Sequence, residues 1–192
     1  MCVAFLALSV HSDYPFILAL NRDEFFERPT IPVHIRREDP RIIAGKDLEG
    51  NGTWLGITTE GRFGIVTNVR DLGQSRNGTF SRGQLVEAFL KSDVTASDYI
   101  QSVRGASDKY NPFNMLVGTL QEVIYFTNRT GVTQVLSAGL HGLSNGLLNE
   151  AWPKVLRGKT LIKPILETSS LPSKKLLELL KDKWQPGDGE LP

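Results

Sequence analysis

Cys2 is the only cysteine in the chain, and it stands directly behind the initiator methionine. If Met1 is removed, residue 2 carries both a thiol and a free α-amine. The amine, with an ordinary pKa of about 7.7–8.0, and the thiol, at about 8.5, are close enough to exchange a proton near neutral pH. A terminal amine can serve as the base for its own side chain, so one residue would hold nucleophile and base together. The competing reading is plain: cysteine is a common small buried hydrophobe, and most lone cysteines only pack. The polar cluster Asn21-Arg22-Asp23-Glu24 ends the second apolar stretch and supplies charge for such a site. By itself, Arg22-Asp23 also reads as an ion pair at a strand end.

Composition narrows the setting. The chain has 192 residues, 22 basic and 21 acidic, for a formal charge of +1. That length supports one domain with a substantial core, expected over 1–184, with a flexible tail at 185–192. Balanced charge gives no reason to expect nucleic acid or an acidic membrane surface as partner. One cysteine excludes an internal disulfide and fits a reducing, cytoplasmic compartment. The apolar N-terminal stretch is broken at His11-Ser12-Asp13-Tyr14-Pro15 with no preceding Lys or Arg. It is therefore read neither as a secretion signal nor as a membrane span. His11, His34 and His141 have no metal-ligand spacing, so no metal site is expected, and no phosphate-binding or dinucleotide fingerprint occurs.

The elements that must position these residues follow from periodicity. Val3 to Val10 is apolar at both parities, as in a strand buried on both faces. A turn at Asp13-Tyr14-Pro15 and a second strand, Phe16 to Leu20, complete a hairpin. Phe25 to Pro40 reads as an irregular loop, Arg41 to Ala44 as a short strand, and Gly45 to Thr53 as a loop. Thr53 to Thr58 and Arg62 to Thr67 read as strands around Glu60-Gly61, before a loop from Leu72 to Phe80. Ser81 to Gln84 fits a capping box ahead of a helix burying Leu85, Val86, Phe89 and Leu90. A second helix starts near Thr95. Strands are expected at Phe113 to Thr119, Glu122 to Thr127 and Thr133 to Ser137, then a glycine-rich loop from Gly139 to Gly146. Pro153 suits the first turn of a third helix, and Ser173 to Trp184 forms the last. Two strand groups, each followed by two helices, predict an α+β fold: a four-layer α/β/β/α sandwich of two stacked antiparallel sheets.

The segments Asn21-Arg22-Asp23-Glu24, Asn51-Gly52-Thr53-Trp54-Leu55-Gly56, Thr67-Asn68-Val69-Arg70, Ser81-Arg82-Gly83 and Gly142-Leu143-Ser144-Asn145 occur in that order. Together they resemble the NRDE family, also called the transport and Golgi organisation protein family, to about Lys154. The resemblance implies an N-terminal-nucleophile hydrolase fold. It also implies an N-terminal cysteine like that of the choloylglycine hydrolase and penicillin V acylase group. By that resemblance Cys2, Arg22, Asp23, Asn68 and Asn145 are the candidate catalytic residues. Arg22 would stabilise the thiolate, Asp23 would orient the amine, and Asn68 and Asn145 would donate to the oxyanion. Asn21, Trp54 and Arg70 are candidate substrate-binding residues. Read without the family, the two asparagines are turn formers, Trp54 is core, and Arg70 is solvated.

Two departures stand out. The acylases separate their Arg and Asp, whereas Arg22 and Asp23 are adjacent. Family members also run on to a Tyr-Gly-Thr-Arg-like segment that is absent before Pro192, as expected of a truncated or shortened member. The expected function is hydrolysis of an amide or ester bond in a small molecule, without a cofactor. The alternatives are a haem or acyl-CoA carrier, with His141 the one candidate iron ligand, or a trafficking scaffold. They follow from links of animal members to haem movement, lipid metabolism and secretory organisation, which would place the protein in mitochondria or Golgi.

Overall fold

The computed structural model describes residues 2–70, 80–185 and 187. Met1, the loop expected from Leu72 up to Phe80, and most of the expected tail lie outside the described residues. The chain forms two compact units, Met1–Asp23 with Ser137–Pro192, and Glu24–Leu136. Among the described residues they carry two antiparallel sheets and four α-helices.

The first unit is a three-stranded sheet of β1 (Val3–Leu8), β2 (Phe16–Asn21) and β10 (Gly139–Leu143), with β1 in the centre. Its helices are α3 (Pro153–Leu166) and α4 (Ser173–Leu179). Phe5 and Ala7 point to the helix side, where they form a cluster with Ile17, Ala19, Ile162, Leu166 and Leu176. Ala4, Leu6 and Leu8 point to the opposite face and are also buried. Burial at both parities is what the unbroken apolar run of β1 requires. Helix α3 comes very close to β1: a Cβ placed on Gly158 would lie 1.9 Å from the ring tip of Phe5.

The second unit is a seven-stranded meander in the order β3 to β9. Its strands are β3 (Thr30–Ile35), β4 (Ile42–Asp47), β5 (Leu55–Thr58), β6 (Phe63–Asn68), β7 (Phe113–Gly118), β8 (Val123–Thr127) and β9 (Thr133–Val135). Helices α1 (Gly83–Lys91) and α2 (Ala96–Gly105) cover it through Leu85, Val86, Phe89, Leu90, Ile100 and Val103. Thr95 caps α2, accepting from the Asp98 backbone N–H at 3.1 Å, which satisfies one orphan donor of the first turn.

Several expectations are corrected. The segment read as a loop from Phe25 to Pro40 contains β3. This is an edge strand that is mostly exposed and irregular between Ile31 and His34, so it carries no burial period, and an edge position tolerates Pro32. The segment read as a glycine-rich loop from Gly139 to Gly146 contains β10, which pairs with β1 from Leu8↔Gly139 to Ala4↔Leu143. β4 runs on to Asp47, into the stretch expected to be loop. The two strand groups do not correspond to the two sheets, because β3 to β6 share one sheet with β7 to β9. The capping box does not form. Helix α1 starts at Gly83 behind Arg82 with no side-chain cap, and the Gly83 carbonyl instead accepts from Thr53 N–H at 3.1 Å. Helix α4 ends at Leu179, short of Trp184.

Candidate functional site

The residue order of the small sheet assembles a site. β1 lies between β2 and β10, antiparallel to both, with Val3 opposite Asn21 and Ala4 opposite Leu143. The beginning of β1 is therefore flanked by the ends of both neighbours. The residues that leave those ends, Arg22-Asp23 on one side and Ser144-Asn145 on the other, are delivered beside Cys2. Strand pairing alone brings together residues 142 positions apart in the chain.

Cys2 is a free thiol residue, half-buried rather than sealed in the core. Its carbonyl oxygen is held twice. Ser144 Oγ donates to it at 2.9 Å and Lys154 Nζ at 3.3 Å. Both donors also reach Asn145 Oδ1, Ser144 Oγ at 3.5 Å and Lys154 Nζ at 3.4 Å. Ser144 and Asn145 are buried, with 1% and 5% of their surface exposed. Side chains this deep keep their place only when hydrogen-bonded.

The loop carrying Ser144 and Asn145 is closed at its base by Asn149. The Asn149 N–H donates to the Gly142 carbonyl at 2.8 Å, and the Gly142 N–H donates to Asn149 Oδ1 at 2.9 Å. Asn149 takes a positive φ of 59° to do so, a conformation that asparagine tolerates better than most residues. Lys159 Nζ also donates to Asn149 Oδ1, at 2.7 Å.

Lys154 was not singled out by the sequence. It occupies the first turn of α3 directly after Pro153, where a cation opposes the positive end of the helix dipole. Burial pushes its ammonium below the ordinary lysine value, while the charges of Asp23 and Cys2 act in the opposite direction. Its place in the first turn, against the helix dipole, is the one trace of it in the sequence, and that alone does not separate it from a solvated charge.

The other expected residues are placed as follows. Arg22 is half-buried and Asp23 exposed, immediately after β2. The Asn21 side-chain amide donates to the Leu180 carbonyl just past α4, and Asn21 pairs with Val3, so it belongs to the helix side of the sheet. Asn68, Trp54 and Arg70 belong to the second unit. Asn68 ends β6 opposite Phe113 and is exposed. Trp54 is half-buried, with its ring where a Gly45 Cβ would sit. Arg70 is exposed. His141, expected in an exposed loop, is instead buried on β10. Its Nε2 lies 2.9 Å from the Ser137 carbonyl and its Nδ1 3.2 Å from Asn149 Nδ2, so both ring nitrogens are engaged. Among the described residues, no group of three or more His, Cys, Asp or Glu could hold a metal ion. None of the described helices is long and apolar enough to cross a membrane.

Comparison with known proteins agrees with this architecture. The chain is similar to an N-acylethanolamine-hydrolyzing acid amidase ortholog of Caenorhabditis elegans, with TM-score 0.63, 13% identity, and 95% of this chain and 86% of that one covered. It is also similar to penicillin V acylase from Agrobacterium tumefaciens, with TM-score 0.60, 10% identity, and 99% and 76% covered. These likenesses show the N-terminal-nucleophile hydrolase fold. In sequence, the chain is 35% identical over 206 residues to the mouse Transport and Golgi organization 2 homolog, covering 100% of this chain and 74% of that protein. It is 34% identical over 208 residues to the human homolog at the same coverage. The profile of the Transport and Golgi organisation 2 family matches residues 1–192, and the chain belongs to that family.

Proposed function

We propose that this protein is an N-terminal cysteine hydrolase that cleaves an amide or ester bond of a small molecule. The observation that carries the reading is the placement of Cys2 at the head of the central strand. Its carbonyl is tied to Ser144 and Lys154, and Asn145 is bonded to the same two donors. The fold shared with two amide-cleaving proteins supports the same chemistry.

With Met1 removed, the Cys2 thiol passes its proton to its own amine, and the sulfur attacks the substrate carbonyl carbon. The carbonyl oxygen takes the negative charge, and the Asn145 amide N–H donates to it. One such donor is typically worth about 2.7–4 kcal/mol. The intermediate collapses, breaking the C–N or C–O bond, and the ammonium returns its proton to the leaving group. Water then cleaves the thioester, releasing a carboxylic acid and restoring the thiol. Arg22 favours the thiolate over the thiol, and Asp23 orients the ammonium. A reducing compartment such as the cytoplasm keeps the sulfur available.

The test is intact mass of the purified chain followed by reaction with p-nitrophenyl acetate. The expected result is loss of Met1 and a burst of one p-nitrophenol per chain, with the acetyl group on Cys2 and neither in Cys2→Ala. Retained Met1, or equal acylation of Cys2→Ala, would overturn the assignment.

A further inference from the structure

Lys154 holds two acceptors that flank the reacting residue, yet neither strand pairing nor helix stability explains it. The carbonyl of Cys2 sits on the bond that sets how the amine and thiol are presented. Asn145 Oδ1 sits on the amide whose N–H is the oxyanion donor in the proposed mechanism. A single ammonium that donates to both, at 3.3 and 3.4 Å, couples the attitude of the nucleophile to that of the donor.

An asparagine amide has an acceptor end and a donor end, and nothing in its shape favours one orientation over its flipped form. Lys154 decides the question: its ammonium can only donate, and it lies 3.4 Å from Oδ1, so that end is the oxygen, whereas the single proton of Ser144 Oγ is directed mainly to the Cys2 carbonyl at 2.9 Å. The nitrogen is turned to the other side. A neutral side chain at position 154 would remove the charged donor at 3.4 Å from Oδ1, and with it a contact that tells oxygen from nitrogen.

The position of Lys154 in its helix argues in the same direction. A cation in the first turn of a helix is disfavoured by the positive end of the helix dipole. Burial adds to that cost, as the lowered value of its ammonium records. The interactions that offset both lie at Cys2 and Asn145, with the charge of Asp23 near enough to contribute.

We propose that Lys154 is a positioning residue of the hydrolase site, holding the Cys2 carbonyl and the Asn145 amide in the orientation that oxyanion formation needs. This rests on the hydrolase reading above. It assigns Lys154 no contact with substrate and no proton transfer.

Two reagents separate this role from others. Acylation by p-nitrophenyl acetate develops an oxyanion, whereas alkylation by iodoacetamide displaces iodide at carbon and develops none. Both require the Cys2 thiolate. The experiment measures both rates across pH on the full chain, for wild type, Lys154→Met and Lys154→Arg, with thermal unfolding as a check of folding. With rates compared on the plateau above the thiol's midpoint, Lys154→Met is expected to acylate about tenfold to a hundredfold more slowly and to alkylate within about threefold of wild type, while loss of the charge that interacts with Cys2 moves the pH midpoint of both reactions alike. Lys154→Arg, which keeps the donors, is expected to recover most of the lost rate. If Lys154→Met does not fold, Lys154→Arg is compared with Asn145→Asp, which keeps the acceptor and loses the N–H. The arginine variant should then retain acylation and the aspartate variant lose it while still alkylating. Undiminished acylation in Lys154→Met, or equal loss of acylation and alkylation, would overturn the positioning role alone. Failure of wild-type Cys2 to be acylated at all would overturn the hydrolase reading and this role with it.

Discussion

The hydroxyl of Ser144 donates to the carbonyl oxygen of Cys2 at 2.9 Å, joining the loop after β10 to the head of β1. The bond is buried on the serine side. Ser144→Ala is expected to cost about 1 kcal/mol of stability, the usual worth of such a bond, and to slow Cys2 acylation severalfold. Urea unfolding and p-nitrophenyl acetate burst rates check the two parts separately.

Asn145→Ala is expected to cost about 1–3 kcal/mol of stability, since it removes a buried acceptor, and to reduce acylation about 10²- to 10³-fold in the folded protein, as loss of one oxyanion donor does elsewhere. Iodoacetamide labelling should stay near wild type. An acylation rate within a few fold of wild type would remove Asn145 from the oxyanion role.

Gly158→Ala sets two effects against each other. Alanine in a helix interior gains up to about 1 kcal/mol over glycine. Here the new methyl would meet the Phe5 ring at 1.9 Å, and Phe5 is only 2% exposed and packed beneath α3. Overpacking of that kind costs typically 1–3 kcal/mol. The clash wins, so thermal unfolding of Gly158→Ala should begin below that of wild type.

Asp47 gives a pH prediction. Burial raises its carboxyl, but the Gly50 N–H at 3.0 Å, Arg28 Nε at 2.9 Å and the Glu49 N–H at 3.1 Å outweigh that and hold it below the usual aspartate value. A carboxyl lowered on folding contributes stability that is present above its unfolded value of about 3.9 and is lost as pH falls through the folded value. Asp47→Asn should therefore be less stable than wild type at pH 7, and the difference should shrink below about pH 4. Urea midpoints measured from pH 7 to pH 2.5 check this.

The readable parts of the sequence were those where burial leaves a period. β1 is apolar at both parities because both its faces are covered, and α1 shows Leu85, Val86, Phe89 and Leu90 at helical spacing because one face is. β3 left no such trace, since an exposed edge strand needs no apolar alternation. β10 was hidden because its Gly139 and Gly142 look like loop residues, although both belong to a strand paired with β1. The partition into sheets depends on pairings between distant residues, which no local window records. Cys2, Arg22, Asp23 and Asn145 were legible as motif residues. Lys154 was not, because its two acceptors lie 152 and 9 positions away, and a lone lysine at a helix start looks like any solvated charge.

In the sequence, the seven-stranded unit, Glu24–Leu136, lies between β2 and β10 of the smaller unit. A ribosome therefore releases the β1–β2 hairpin first and its second flanking strand only after all the intervening residues have emerged. Until then the head of β1 has one open hydrogen-bonding edge, and the carbonyl of Cys2 has neither Ser144 nor Lys154 to hold it. Closing so wide a span is slow compared with forming a hairpin, so the surroundings of Cys2 come together only once β10 and the start of α3 have joined β1, and a nascent chain arrested before Gly139 would display Cys2 without Ser144 and Lys154.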